Sequence, residues 1–182
     1  MRIDQLPPFQ SQSGELNVII ETPQCSRNKF TYDPDLELFR LKKTLPLGAS
    51  FPYDFGFVPS TLGGDGDPLD VLVLMEEPGV TGCLVEVRLV GVLEVEQTKE
   101  GKTVRNDRLI AVFGQSPLYE AVKEVEDLAE GLLKQIEHFF RSYIEAEGQQ
   151  LRVLGRYGAN RAIELIREGE KLYQKKGKAG VA

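Results

Sequence analysis

Asp65-Gly66-Asp67-Pro68-Leu69-Asp70, running on into Val71-Leu72-Val73-Leu74-Met75, is a turn that becomes a strand. Three carboxylates fall within six residues, on a turn stiffened by Pro68 and freed by Gly63, Gly64 and Gly66, and the apolar run after Asp70 anchors them. Two carboxylates about 5 Å apart repel by roughly 3 kcal/mol at an effective dielectric near 20, so three on an anchored turn invite a cation. Oxygen-only ligands favour a hard ion, magnesium or manganese before zinc. A solvated acidic turn is the plainer alternative. An EF-hand is excluded: counted from Asp65, the sixth position, which must be glycine, is Asp70, and the fifth, which must offer oxygen, is Leu69, although Glu76 stands at the twelfth.

Working outward, the 182 residues suit a single domain spanning 1–182, with a polar N-terminal arm over 1–15. A net charge of -6 argues against nucleic acid held through its phosphates. No apolar run is long enough for a membrane helix, and Met1-Arg2-Ile3-Asp4 lacks the apolar core of a signal peptide, so a cytoplasmic location is expected. Cys25 and Cys83 share no ligand spacing with each other or with the lone His138; reduced, structural thiols are expected.

Upstream of the acidic turn, Leu16–Thr22 reads as a strand carrying Glu21 at its end, and Lys29–Tyr32 with Leu36–Leu41 as a hairpin through Asp33-Pro34-Asp35. Residues 44–64 hold three prolines among Phe51, Tyr53, Phe55 and Phe57, and read as an ordered loop walling a site. Downstream, Gly82–Val95 suggests one long strand bent at Gly91 or two strands, 96–107 is polar, and Leu109–Phe113 forms the last strand. Asp127 resembles an N-cap, with apolar residues at helical spacing to Gly148, and a second helix is expected over 160–176. His138 reads as a packed core or boundary residue, and Lys171, Lys175, Lys176 and Lys178 as a solvated end. About five short strands followed by helices predict an α+β fold, with a five-stranded OB-like closed β-barrel and flanking C-terminal α-helices as the first choice and a partly open barrel, another small barrel or a sandwich left open by periodicity alone.

Glu21, Lys29, Lys42, Asp65, Asp67, Asp70 and Arg108 all fall at predicted strand ends. Acids that gather metal ions, faced by a few cations, suit a phosphate-rich substrate. Metals would neutralise phosphate oxygens and acidify water, and a remaining carboxylate could take the proton. No P-loop and no Gly-x-Ser-x-Gly segment is present.

Asp65-Gly66-Asp67-Pro68-Leu69-Asp70-Val71 resembles the signature of the soluble family I inorganic pyrophosphatases. The similarity extends to Ile20–Pro23, Phe51–Pro59, Val90–Leu93 and Gln135–Phe140. The resemblance implies a magnesium-dependent hydrolase, with manganese as a substitute, that cleaves pyrophosphate to two phosphates and forms a homo-oligomer, typically a hexamer. It makes Asp65 and Asp70 metal ligands, Asp67 the acid beside the attacking water, Glu21 part of the outer acidic shell, and Lys29 and Tyr143 phosphate contacts.

Other positions depart from the family's pattern. A further acid falls on Thr31, the phosphate-binding arginine on Lys42, and two active-site tyrosines on Phe51 and Phe55. Two metal-binding aspartates align near Gln97 and Asn106, with Asp107 able to stand in for Asn106; the family's lysines fall on Arg108 and Ile144. Losing several charged hydrogen bonds, each about 1.5 to 3 kcal/mol, would slow turnover. The substitutions leave two alternatives open: a phosphohydrolase for another diphosphate, or a catalytically impaired binding or assembly protein on the same fold.

Overall fold

The computed structural model describes residues 2–179; Met1, residues 180–182 and the side chains of Lys178 and Ala179 lie outside the description. Among the described residues nine strands precede or separate two α-helices: β1 (Leu16–Thr22), β2 (Asn28–Asp33), β3 (Leu38–Thr44), β4 (Asp54–Phe57), β5 (Asp70–Leu74), β6 (Leu84–Lys99), β7 (Lys102–Arg105), β8 (Arg108–Phe113), α1 (Glu130–Glu145), β9 (Gln150–Gly158) and α2 (Ala159–Ala179). The architecture is α+β and mostly sheet.

Backbone pairings run β1–β4–β5–β8–β6, and β6 returns to pair with β1. The long β6 also carries β7 and β9, while β2 and β3 form a separate hairpin. Only β5 and β8 run parallel among these pairs, with Asp70 opposite Arg108. Gly91 sits at a register shift in β6, and a Cβ there would meet Val125 at 2.7 Å and the carbonyl of Tyr157 at 2.6 Å.

Period-two alternation sends the strands' apolar residues to two cores. Leu72, Leu74, Ile110 and Val112 pack with Phe51, Phe55 and the Leu133, Ile136 and Phe140 face of α1. Val71, Val73, Leu109 and Ala111 pack on the opposite side, with Ala162 and Ile166 of α2. Burial on both faces explains why β5 and β8 read as continuous apolar runs.

Three strands escaped the sequence reading. The four-residue β4 lies inside the expected loop, and Gly56 at its centre is forced by β1: a Cβ would lie 2.1 Å from the Ile19 carbonyl oxygen. The polar 96–107 stretch continues β6 and folds into β7 through Glu100 and Gly101, both at positive φ, as a tight hairpin turn requires. Leu109–Phe113 is not the last strand, because β9 lines the β6 edge with its residues only partly buried. Asp127 does not cap α1, which starts at Glu130; its carboxylate accepts the N–H groups of Lys123 and Glu124 around a short 3-10 turn. The N-terminal arm is held too, with the Asn17 amide donating to the Pro7 carbonyl at 2.9 Å and the Ser60 N–H to the Asp4 carbonyl at 2.9 Å.

Gly56→Ala should destabilise the fold by about 3 kcal/mol, since backbone rather than a movable side chain blocks the new methyl. Gly131→Ala, on α1 with open space around it, should be neutral or stabilising by up to about 1 kcal/mol. Urea unfolding of both variants measures the contrast.

Candidate active site

The acidic turn is held at both ends. Thr61, fully buried, donates its hydroxyl to the Val58 carbonyl at 2.6 Å and accepts the Leu69 N–H at 3.1 Å. Within the turn the Asp65 carboxylate accepts the Asp67 N–H at 3.1 Å, and Gly66 supplies the positive φ. Asp70 then opens β5 beside Arg108 at the start of β8, and the two side chains form an ion pair. Arg108 is only 4 % exposed. Its guanidinium carbon lies 6.0 Å from the Phe55 ring centre and 5.5 Å from that of Phe140.

Thr61, Asp65, Asp67, Asp70 and Arg108 line one cavity of about 640 Å³, together with Glu21, Lys29, Thr31, Lys42, Gln97, Asn106, Tyr143 and Ile144. Glu21, near the end of β1, accepts the Tyr32 N–H at 2.7 Å. Burial pushes its carboxyl up to about 7; the Tyr32 hydrogen bond and Lys29 oppose that rise, and the charge of Asp70 adds to it. Asp65 is also raised, first by its shielding from solvent and then by Asp70 and Asp67. The acids therefore feel one another across the cavity, the condition under which a divalent cation is welcome.

The opposite wall is cationic and aromatic. Lys29 Nζ lies 4.8 Å from the Phe55 ring centre and 5.7 Å from that of Tyr143. Tyr143 is itself fixed by Phe51, edge-on at 5.7 Å, and by Phe139, stacked at 5.8 Å. A register shift opposite Lys29 and Phe30 places Lys43 against Lys29 and leaves Lys42 as the extra residue. Lys42 lines the cavity as expected, and Lys43, absent from the sequence reading, lies 3.8 Å from the Tyr143 ring centre and pairs with Glu147. Burial, then the charges of Lys29 and Lys42, lower the Lys43 ammonium to about 8. Nothing in the sequence marks the bulge that brings Lys43 in. Arg2 and Asp4 of the arm, with Tyr173 and Lys176 of α2, form the mouth and were likewise missed.

Asp107 does not join the set. Its carboxylate accepts the Val95 N–H at 2.9 Å and pairs with Arg105 at 2.9 Å, on the far side of the chain from the neighbouring Asn106. Arg105 also pairs with Glu94, and Glu94 with Arg161 of α2, each at 2.8 Å, so Asp107 belongs to a strut between the β7 hairpin and α2. His138 is exposed on α1 rather than packed, and neither it nor the free thiols of Cys25 and Cys83 reach the cavity.

Among the described residues no three His, Cys, Asp or Glu side chains converge on a single point. The donor set fits magnesium nonetheless, because that ion is ordinarily held through one or two carboxylates, with water and phosphate oxygens completing its shell. Asp65, Asp67 and Asp70 supply such carboxylates; Gln97 and Asn106 are neutral. An acidic turn and lysine and arginine side chains on one cavity form an arrangement that could take up a polyanion together with divalent cations.

Comparison with known proteins agrees. The family profile described as inorganic pyrophosphatase matches residues 18–174. An inorganic pyrophosphatase of Synechocystis is 37% identical over 167 residues, 92% of this chain and 96% of its own length. That of Thermus thermophilus is 38% identical over 91% of this chain and 94% of its own. The crystal structure of an inorganic pyrophosphatase from Thermus thermophilus superposes with a TM-score of 0.85 at 34% identity, covering 96% of this chain and 99% of that one. One from Neisseria gonorrhoeae gives 0.84 at 32% identity, covering 93% and 96%. The chain belongs to the inorganic pyrophosphatase family. Neither a different diphosphate substrate nor a non-catalytic role is favoured by these relatives. No helix among the described residues is long and apolar enough to cross a membrane.

Because Glu21 titrates above the ordinary carboxyl range, the fold binds its proton more tightly than the unfolded chain does. That contribution is complete below about pH 4.5 and is lost as pH rises through about 7. In metal-free buffer, Glu21→Gln should therefore gain stability on wild type between pH 5 and pH 8, by up to about 3 kcal/mol. Urea unfolding at the two pH values measures it.

Proposed function

We propose that the protein hydrolyses inorganic pyrophosphate to two phosphates with magnesium, manganese serving as a substitute. The observation that carries this reading is the convergence of Glu21, Asp65, Asp67 and Asp70 with Lys29, Lys42, Arg108 and Tyr143 on one cavity, in a chain of this family. A divalent cation held at Asp65 and Asp70 would neutralise phosphate oxygens and make water more acidic. Lys29, Lys42 and Arg108 bind and orient the two phosphates, with the Tyr143 hydroxyl as a further donor. Asp67 takes the proton of the attacking water, whose oxygen forms the new bond to phosphorus as the bridging P–O bond breaks. Without metal, burial first and then the charge of Asp70 raise the Glu21 carboxyl to about 7, so a cation at Asp70 would favour its ionised form.

The ring of pairings β1–β4–β5–β8–β6 supports reading the sheet as the expected five-stranded OB-like barrel. A single domain over 1–182, a cytoplasmic location and a homo-oligomer, hexameric by resemblance, complete the proposal and rest on family membership. Sedimentation of the purified chain tests the last of these; a monomer at micromolar concentration would refute it.

Phosphate release from pyrophosphate with magnesium tests the activity. Asp67→Asn should lower kcat at least 100-fold, and a wild-type rate no better than this variant would remove the assignment. Asp70→Ala should weaken magnesium binding more than Glu21→Ala, because Asp70 stands inside the acid cluster. Calorimetric titration with magnesium gives the ranking, and equal affinities would contradict it.

A further inference from the structure

Three buried polar atoms on the cavity wall have no hydrogen-bond partner among the described residues: Nε of Arg108, Nε2 of Gln97 and Oγ1 of Thr31. Arg108 and Gln97 are 4 % and 8 % exposed. A buried donor without an acceptor is costly, so three around one cavity point to a ligand that brings acceptors.

The direction of the neighbouring hydrogen bonds sharpens this. Arg108 has only donors, and its Nη1 donates to Oδ1 of Asn106. The Asn106 amide nitrogen is thereby turned towards Gln97 and donates to Oε1 at 3.1 Å. Gln97, a residue of the cavity wall, is left with its Nε2 buried and without an acceptor. Each amide oxygen is engaged within the chain, each free end is a donor, and a guanidinium stands at the head of the row. A cation would meet Arg108 and find the oxygens already occupied. An oxyanion would find what it needs.

We propose that Gln97 is a direct hydrogen-bond donor to a phosphate oxygen, and that the Arg108–Asn106–Gln97 row holds one phosphate without an intervening metal, Asn106 acting as a positioning residue rather than a metal ligand. Its place in β6, paired through the backbone with Val104 of β7 and Leu151 of β9, fixes the Gln97 main chain on both sides. The Thr31 hydroxyl offers a third donor. The inference rests on the pyrophosphate reading only for the identity of the anion.

The test titrates inorganic phosphate into the full-length protein in EDTA, followed by calorimetry or phosphorus NMR. Wild type should bind phosphate without metal. Gln97→Met, which keeps the shape and removes the donor, should raise Kd about tenfold, and Gln97→Glu, which adds a like charge, at least 100-fold. Manganese titration followed by electron paramagnetic resonance should give the same number of bound ions, with affinity within twofold, for wild type and Asn106→Ala. Thermal melts show that each variant is folded. The proposal is overturned by no phosphate binding in EDTA, by a Gln97→Met Kd within twofold of wild type, or by loss of a manganese ion in Asn106→Ala. Pyrophosphate turnover by wild type, measured alongside, separates the outcomes: no turnover removes the catalytic reading, while the phosphate titrations decide the role of Gln97.

Discussion

A carboxylate and a guanidinium open two neighbouring parallel strands, and the cavity is arranged around that pair. Asp70 and Arg108 face each other because β5 and β8 pair in that register, not because a flexible loop carries them there. Taking a guanidinium out of water costs several kcal/mol unless it is well partnered, and here the partners are Asp70, Asn106 and the faces of Phe55 and Phe140. Glu21 and Asp65 each feel the charge of Asp70, while the amides of Asn106 and Gln97 are oriented in turn, each by the one before it.

The same pairing clarifies the departures from the family pattern. Phe51 and Phe55 lack hydroxyls, but their rings are core: each is nearly fully buried, they pack 5.5 Å apart, and Phe55 presents its ring to both Lys29 and Arg108. In place of two hydroxyls the chain has apolar burial and, at Phe55, an aromatic bed under two cations. Ile144 likewise joins the buried residues of α1, 3 % exposed. Both changes replace polar side chains of the family pattern with apolar ones that pack into the wall bearing Lys29, Lys42 and Arg108.

What could be read from the sequence followed physical strength of signal. Strands buried on both faces, β1, β5 and β8, stand out as apolar runs, and the acidic turn stands out because three carboxylates rarely share so short a span. The half-covered β9 and the solvent-side β7 bury too little to leave a pattern, and β4 is only four residues long. For the site, Glu21, Lys29, Asp65, Asp67, Asp70, Arg108 and Tyr143 reach the cavity from the elements the sequence suggested. Lys43 was hidden by a bulge, and Asp107 lies apart because Arg105, two residues away, offers it an ion pair. The bulge is set by the partner strand, and Asp107 is further held by the Val95 N–H, twelve residues away, so neither follows from local spacing alone.

Between β5 and β8 the chain lays down the whole of β6 and its hairpin with β7, so the strands bearing Asp70 and Arg108 meet only after that long excursion has folded back. Such non-local closure is slow compared with helix or hairpin formation. Until it happens, the nascent chain displays its aspartates without their counter-charge. The Asp70–Arg108 pair therefore exists only once the chain between the two strands has folded back.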